Sequence, residues 1–171
     1  MGRGYIQVYT GNGKGKTTAA LGLCLRAVCA GKNVYFGQFV KGMDYSELKV
    51  PYLIPDFTIE QFGRDAFING DPTDKDIKMA RQGLKKIKEV LCSGEYDIVV
   101  LDEINIALYY KLISVDELLH VLDIRNSEVE VIITGRYADP KIIEKADLVT
   151  EMKEIKHYYN EGVKARTGIE N

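Results

Sequence analysis

The sequence predicts an α/β protein with a mainly parallel sheet of about six strands, flanked by helices. Short segments rich in apolar and β-branched residues alternate with segments of helical periodicity along the chain, which is the pattern of repeated strand–helix units. The run 98–101 is apolar at every position and acidic residues follow it, as is typical of a central strand buried on both faces. A length of 171 residues favours a single domain over residues 1–171.

The first thirty residues predict a strand, a glycine-rich loop and a helix. Residues 5–9 (YIQVY) are aromatic or β-branched at most positions and a glycine cluster ends them, which indicates a buried strand. Residues 17–30 are rich in alanine and leucine, and Gly31 stands where a left-handed helix end is expected.

Two further strands are expected at 33–39 (NVYFGQF) and 58–62 (TIEQF). The segment between them contains Pro51 and Pro55, so we expect a loop there.

The middle of the chain predicts a long capped helix followed by the central strand. Thr73 with Asp76 three residues later resembles a capping box. Apolar residues then recur at helical spacing until Gly94. The strand at 97–101 follows.

The last third predicts another helix, two strands and a short helix. Ser114 and Glu117 are placed as a second capping box. Residues 130–134 (EVIIT) form the next strand, a short helix follows Pro140, and 148–152 is a weaker final strand.

Composition excludes several classes of protein. Hydrophobic residues make up 46% of the chain and charged residues 28%, which is close to the globular average and unlike disordered or collagen-like chains. The 23 basic and 25 acidic residues give a net charge of −2, so no broad attraction for nucleic acid is expected. No apolar run approaches the ~18 residues of a membrane span, and the N-terminus lacks the apolar stretch of a signal peptide. We therefore expect a cytoplasmic protein with no membrane or nucleic-acid partner.

The three cysteines are expected to be buried thiols without chemistry. Cys24, Cys29 and Cys92 are odd in number, lack CxxC spacing and lie among apolar, helix-like residues.

The strongest functional signal is the loop between the first strand and the first helix. Its glycines would let successive N–H groups face phosphate oxygens, its lysine would neutralise charge and its first threonine could hold a magnesium ion. The candidate nucleotide-binding residues are Gly11, Asn12, Gly13, Lys14, Gly15, Lys16, Thr17 and Thr18. The usual phosphate loop has four residues between its first glycine and the Gly-Lys pair, whereas three lie between Gly11 and Gly15. The sequence thus predicts a P-loop that is one residue short.

Polar residues that follow other strands are expected at the same edge of the sheet. Asp102 and Glu103 end the central strand, where a carboxylate can hold magnesium directly or through water. Arg136 follows the strand at 130–134 and could contact a triphosphate. Alone, each signal is also compatible with a solvated turn. His120 and His157 form no cluster, so we interpret them as packing or surface histidines.

Several segments together resemble the ATP:corrinoid (cob(I)alamin) adenosyltransferase family over nearly the whole chain. They are GNGKGKTT (11–18), QFVKG (38–42), VLDE (100–103), ITGR (133–136), ADLV (146–149) and His157 with GVKAR (162–166). The short phosphate loop is a hallmark of that family.

The resemblance implies transfer of the 5′-deoxyadenosyl group of ATP to the cobalt of a reduced corrinoid, with release of triphosphate. It also implies Mg²⁺, a homodimer, ATP bound in reverse orientation in the loop, and an electron-donating flavoprotein or reduced flavin. By the same resemblance, Lys16 and Arg136 are catalytic, Arg26 reaches ATP, and Thr17 and Glu103 lie near magnesium. Asp102 is a less certain direct ligand that could act through its neighbours.

The resemblance is weaker at two places. Some relatives cover the corrinoid with an N-terminal segment that residues 1–4 do not supply. Some relatives also use a Phe and a Trp to displace the lower axial cobalt ligand, whereas this chain has no Trp. Phe67 is our candidate for that catalytic role, with Phe62 as the alternative, and both could instead be core aromatics.

Other functions remain open from the residues alone. The main alternative is a P-loop protein that hydrolyses ATP to drive a partner. The sequence shows no arginine-rich lid of the kind that a small-molecule kinase would use. A pure binding module is the least compatible class, because acidic residues and arginines are expected at one edge of the sheet.

Overall fold

A computed structural model describes residues 2–66, 68 and 70–171. One six-stranded sheet, in the order β3-β2-β4-β5-β1-β6, is parallel at every pairing of neighbours. The strands are β1 (Ile6–Thr10), β2 (Val34–Phe39), β3 (Phe57–Phe62), β4 (Ile98–Asp102), β5 (Glu130–Thr134) and β6 (Leu148–Glu151). The predicted α/β class, the parallel sheet and the number of strands are confirmed.

Six α-helices connect the strands in the described part of the chain. They are α1 (Lys16–Cys29), α2 (Val50–Leu53), α3 (Asp74–Ser93), α4 (Ile104–Tyr109), α5 (Val115–Asp123) and α6 (Pro140–Lys145). Both predicted capping boxes are present, at Thr73 with Asp76 and at Ser114 with Glu117. Gly31 adopts the left-handed backbone that was expected beyond the end of α1. Gly94, at which the helical spacing was expected to end, is the left-handed cap of α3.

The two faces of the sheet bury two separate sets of apolar side chains. Helix α1 packs its buried Ala20 and Cys24 on one face, with alternate strand residues such as Phe36 and Val100. Helices α3 to α6 cover the other face and its larger cluster, which includes Leu101. This two-sided burial explains why β4 is apolar at consecutive positions.

Three sequence-based expectations were wrong. The segment around Pro51 contains a 3₁₀ turn (Ser46–Lys49) and helix α2, because proline is tolerated in the first turn of a helix. Helix α4, directly after β4, was not predicted. Cys29 and Cys92 are exposed and only Cys24 is buried, because an apolar neighbourhood in sequence does not fix which side of a helix a residue occupies.

All strand ends that carry candidate residues meet at the carboxyl edge of the sheet. The register pairs Gln38 on β2 with Asp102 on β4, and Tyr9 on β1 with Thr134 on β5. Strand β5 therefore lies between the strand that leads into the glycine loop and the strand that ends in Asp102. Ligands of open parallel sheets bind at this edge.

Candidate active site

The glycine loop joins β1 to α1 by a path that only small residues allow. A Cβ atom on Gly11 would lie 2.4 Å from the carbonyl oxygen of Met152, and one on Gly13 would lie 2.8 Å from the same atom. Gly13 also donates its N–H to that oxygen at 2.7 Å. The loop is thus packed backbone to backbone against the chain that follows β6, which fixes its shape.

The N-terminus of α1 is open toward the loop. Gly15 precedes the helix with φ 115°, no side chain caps the helix, and no acidic residue lies in its first turn. Its first N–H groups therefore remain available, and the helix dipole favours an anion there.

Lys16 lies inside the loop. Its ammonium donates to the carbonyl oxygens of Gly11 at 2.9 Å and Gly13 at 2.8 Å, and the residue is buried. Burial lowers the pKa of Lys16, and the charge of Arg136 acts in the same direction, whereas Glu103 and Asp102 oppose the shift. The two hydrogen bonds to carbonyl oxygens hold the ammonium at the centre of the loop.

Asp102 is fully buried, and its carboxylate connects several elements of the site by hydrogen bonds. Its Oδ1 accepts hydrogen bonds from the hydroxyls of Thr17 at 2.9 Å and Thr134 at 2.7 Å. Its Oδ2 accepts from Lys41 at 2.8 Å and from Gln38 at 3.3 Å. The carboxylate therefore joins α1, β5 and the turn after β2, and it fixes the rotamer of Thr17.

Glu103 faces the cavity at the next position. Its N–H donates to the Thr134 hydroxyl at 2.9 Å, and its backbone is left-handed, with φ 58°. Burial raises the pKa of Glu103 and the neighbouring charge of Asp102 raises it further, while Lys41, Lys16 and Arg136 lower it. It is a carboxylate with fewer partners than Asp102.

Two other residues at this edge share the strained backbone of Glu103. Val40, just after β2, and Tyr137, after β5, each have φ 58°, a region that costs a non-glycine residue about 1–2 kcal/mol. Both line the cavity with Glu103. Outside the site, Lys111 also has φ 58°.

These residues surround one cavity of about 570 Å³. Part of its lining is polar and mainly basic, with the glycine loop, Lys41, Glu103 and Arg136. Another part is apolar and aromatic and includes Val40, Tyr45, Ile68, Ile106, Tyr110 and Tyr137. A ligand that has both a phosphate chain and a large apolar body would match this mixed lining.

The structure brings most of the sequence-predicted residues together. Gly13, Lys14, Gly15, Lys16, Thr17, Thr18, Glu103 and Arg136 line the cavity. Gly11 and Asn12 belong to the same loop, and Asp102 lies beneath it. Arg26 is exposed in the last turn of α1, away from the lining residues. Phe67 lies outside the described residues, although its neighbour Ile68 lines the cavity.

Several site residues were not singled out for chemistry from the sequence. Lys41 lies just beyond the end of β2, as Glu103 and Arg136 lie just beyond the ends of β4 and β5, so the rule that found those two would also have found it. His157, interpreted above as a packing or surface residue, lines the cavity; its Nδ1 accepts the N–H of Tyr159 at 3.0 Å.

The C-terminal segment also reaches the loop. Lys14 donates to the carbonyl oxygen of Ile169 at 3.1 Å and lies 3.7 Å from the carboxylate of Glu170. Arg166 contacts the same carboxylate at 3.1 Å, and Tyr158 donates to it. Hydrogen bonds from Arg166 and Tyr158 lower the pKa of Glu170 to about 2. No local pattern in the sequence marks a contact over such a separation.

The donors at this edge suit magnesium only in combination with phosphate. Over the described part of the chain, no three or more His, Cys, Asp or Glu side chains form a ready metal site. Thr17, Glu103 and Asp102 do offer hydroxyl and carboxylate oxygens, the ligands that Mg²⁺ prefers, and Mg²⁺ commonly takes its remaining ligands from phosphates and water. The residues therefore fit a magnesium ion that binds with a nucleotide.

No helix among the described residues is both long and apolar enough to span a bilayer.

A strand, glycine loop and helix with Lys16 and Thr17, completed by a buried aspartate on a nearby strand, define a P-loop-type α/β fold. The family model for "ATP:corrinoid adenosyltransferase BtuR/CobO/CobP" matches residues 2–171, and the chain belongs to that family.

Curated relatives agree with this assignment. The chain is 35% identical to the corrinoid adenosyltransferase of Escherichia coli K12 over 177 residues, which covers 98% of this chain and 86% of that protein. It is 37% identical to the corrinoid adenosyltransferase CobA of Salmonella typhimurium, with the same coverage. It is 35% identical to the corrinoid adenosyltransferase of Pseudomonas aeruginosa, covering 98% of this chain and 84% of that protein.

Proposed function

We propose that this protein transfers the 5′-deoxyadenosyl group of ATP to the cobalt(I) of a reduced corrinoid and releases inorganic triphosphate, in cobalamin biosynthesis or salvage. The observation that carries the proposal is the single cavity whose lining combines a phosphate loop with apolar and aromatic side chains. Membership of the corrinoid adenosyltransferase family supports it.

The residues of this chain bind and orient the substrates, and they stabilise the leaving group. In the reaction, a cobalt–carbon bond forms at C5′ while the bond between C5′ and the triphosphate oxygen breaks. Cobalt(I) is itself a strong nucleophile, so the protein need not supply a general base; it must align C5′ with cobalt. Lys16, Arg136 and the N–H groups at the start of α1 would stabilise the charge that develops on the triphosphate.

Magnesium is part of the same proposal. Thr17 and Glu103 would hold the ion, and Asp102 would act through Thr17, since both of its oxygens already accept hydrogen bonds from neighbouring side chains. When bound, the ion would neutralise charge on the triphosphate.

The apolar and aromatic part of the lining is the proposed site of the corrin ring. Tyr110 and Tyr137 offer aromatic faces, and Tyr137 packs against Tyr109 with ring centroids 4.4 Å apart. Phe67 is proposed to help displace the lower axial ligand, because it is next in sequence to Ile68, which lines the cavity. We also propose Arg26 as a contact to ATP, by resemblance to the family.

The remaining partners follow from the chemistry and the family. Cobalt(I) must be generated by reduction, so an electron-donating flavoprotein or reduced flavin is the proposed reductant. A homodimer is proposed on the family resemblance, and a cytoplasmic location, expected from the sequence, is kept as a proposal with which the family is compatible.

The decisive experiment is an anaerobic assay with chemically reduced cobalamin, ATP and Mg²⁺, in which corrinoid absorbance and the phosphate products are followed together. We expect adenosylated corrinoid and intact triphosphate in equal amounts. Lys16→Ala should lower turnover by about 10²-fold or more, since one preorganised charge is typically worth that much. Lys88→Ala, at an exposed position of α3, is the matched control and should retain turnover.

A second candidate function is hydrolysis of ATP. Glu103 favours it, because a half-buried carboxylate with a raised pKa beside the phosphate loop could accept a proton from water. The same assay separates the two functions. Stoichiometric ADP and phosphate, without a cobalt–carbon bond, would show that the protein hydrolyses ATP and does not transfer the adenosyl group.

A further inference from the structure

The turn after β2 places a cation against the oxygens that a metal ion would use. The ammonium of Lys41 lies 2.8 Å from Oδ2 of Asp102 and donates to the hydroxyl oxygen of Thr17 at 3.4 Å. A carboxylate oxygen of Glu47 lies 3.9 Å away. One monovalent cation thus contacts the hydroxyl proposed to bind magnesium and the carboxylate that positions it.

The backbone holds Lys41 in this place. Val40 has the left-handed φ of 58°, which is unfavourable for a β-branched residue and needs support from its surroundings. That support is a close backbone contact: a Cβ on Gly42 would lie 2.3 Å from the carbonyl oxygen of Gly63, and one on Gly63 would lie 2.4 Å from the nitrogen of Lys41. The side chain is only 16% exposed, which is unusual for lysine.

Charge also favours the protonated lysine. Carboxylate oxygens of Asp102 and Glu47 lie 2.8 Å and 3.9 Å from the ammonium nitrogen. The ring of Tyr45, with its centroid 5.2 Å from the ammonium, adds a cation–π contact. Lys41 is therefore a stable ammonium at this position.

The hydrogen bonds leave little room for a second cation. The hydroxyl proton of Thr17 goes to Asp102, and a lone pair of the same oxygen faces Lys41. A magnesium ion at Thr17 would have to give up hydrating water and approach a positive charge only a few ångströms away. A polyphosphate would change this balance, because its oxygens can accept both cations.

We propose that Lys41 is a positioning residue that contacts the metal-binding hydroxyl of Thr17 and the carboxylate of Asp102 until nucleotide arrives, so that the divalent cation enters only together with the polyphosphate. This inference rests on the proposed magnesium site. In the complex, the ammonium turns from Thr17 to the polyphosphate and adds to its binding.

Binding of Mn²⁺, followed by electron paramagnetic resonance without corrinoid, tests the proposal, since Mn²⁺ takes the same oxygen ligands as Mg²⁺. Wild-type protein should bind Mn²⁺ only weakly alone and much more tightly when ATP is present. Lys41→Met should bind Mn²⁺ alone with an apparent Kd lower by about tenfold or more, because a nearby positive charge is removed. Lys41→Arg keeps the charge and should behave like wild type, and adding Asp102→Asn to Lys41→Met should abolish the gain.

In the presence of ATP, the order of Mn²⁺ affinities of wild type and Lys41→Met should be reversed. With Mn²⁺ and ATP together, wild type should bind more tightly than Lys41→Met, a change of sign that loss of a merely structural ion pair would not produce. Lys41→Gln, which keeps a hydrogen-bond donor, serves if the Met variant does not fold.

Wild-type protein that binds Mn²⁺ equally well with and without ATP overturns the inference, whatever the variants do. No gain in Mn²⁺ affinity in folded Lys41→Met or Lys41→Gln also overturns it. Because corrinoid is absent, neither result bears on adenosyl transfer, and failure of adenosyl transfer leaves the metal titration unaffected.

Discussion

Replacement of Gly83 by alanine should destabilise the protein through a single clash with Phe62. Gly83 is buried in α3, and a Cβ atom there would lie 2.5 Å from Cγ and 2.7 Å from Cβ of Phe62. These distances are about 1 Å below the optimal carbon–carbon separation. The contacts involve the base of the phenylalanine side chain, so rotation of the ring cannot relieve them.

Gly22 in α1 supplies the matched control. It is exposed, and a Cβ there would have no neighbour within 4 Å. Both substitutions gain about 1 kcal/mol of helix propensity, but only Gly83→Ala adds an overpacking penalty of about 1–3 kcal/mol. We expect Gly22→Ala to raise the free energy of unfolding by up to about 1 kcal/mol. The free energy of unfolding of Gly83→Ala should be about 1–3 kcal/mol lower than that of Gly22→Ala.

Denaturant unfolding of both variants at one pH measures this difference directly. In thermal unfolding it corresponds to about 2–4 °C per kcal/mol for a domain of this size. Phe62 also packs on Phe39, with ring centroids 5.3 Å apart, and precedes Gly63, which contacts the turn of Lys41. If Gly83→Ala is as stable as Gly22→Ala, the close packing of α3 on Phe62 is wrong and so is our reasoning.

Three other predictions concern the site and its border. Glu103→Gln should raise the Mg²⁺ concentration needed for half-maximal turnover, because a charged oxygen ligand becomes neutral; an unchanged titration would assign the metal to Asp102. Burial alone would raise the pKa of Asp76, but hydrogen bonds from Arg64 and Thr73 lower it to about 2. Its folded pKa lies below the unfolded one, so its contribution is present above about pH 4 and is lost as the pH falls toward 2. Asp76→Asn should therefore lower the free energy of unfolding at pH 6 and flatten its decline between pH 4 and 2; parallel profiles would contradict this. Phe67→Ala should impair turnover from cobalt(II) with a reductant more than from prepared cobalt(I), and equal losses would indicate general damage to the corrinoid pocket.

Local patterns in the sequence predicted those parts of the molecule that depend on local physics. The capping boxes at Thr73 and Ser114, the left-handed Gly94 and the apolar β4 each follow from neighbouring residues. The glycine loop could also be predicted, since a run of small residues before Lys16 has few other uses. These features place the loop, Asp102 and Arg136 at one edge without any knowledge of long-range contacts.

Local sequence patterns could not predict the contacts between residues that are far apart in the chain. Nothing near Lys14 indicates that Ile169 and Glu170 lie against it, and nothing near Gly11 indicates that Met152 requires its lack of a side chain. The exposed position of Cys29 at the end of α1 likewise depends on how the helix sits on the sheet.

The three left-handed residues at the cavity have a consequence for attempts to make the protein more heat-resistant. Glycine at Val40, Glu103 or Tyr137 would relieve about 1–2 kcal/mol of backbone strain, but it would also remove a side chain that lines the cavity. Lys111 shares their φ of 58° yet lies outside that cavity, so glycine there relaxes the chain without touching the site. Selection for survival at high temperature alone would enrich glycine at all four positions, whereas selection that also requires turnover would retain it only at Lys111.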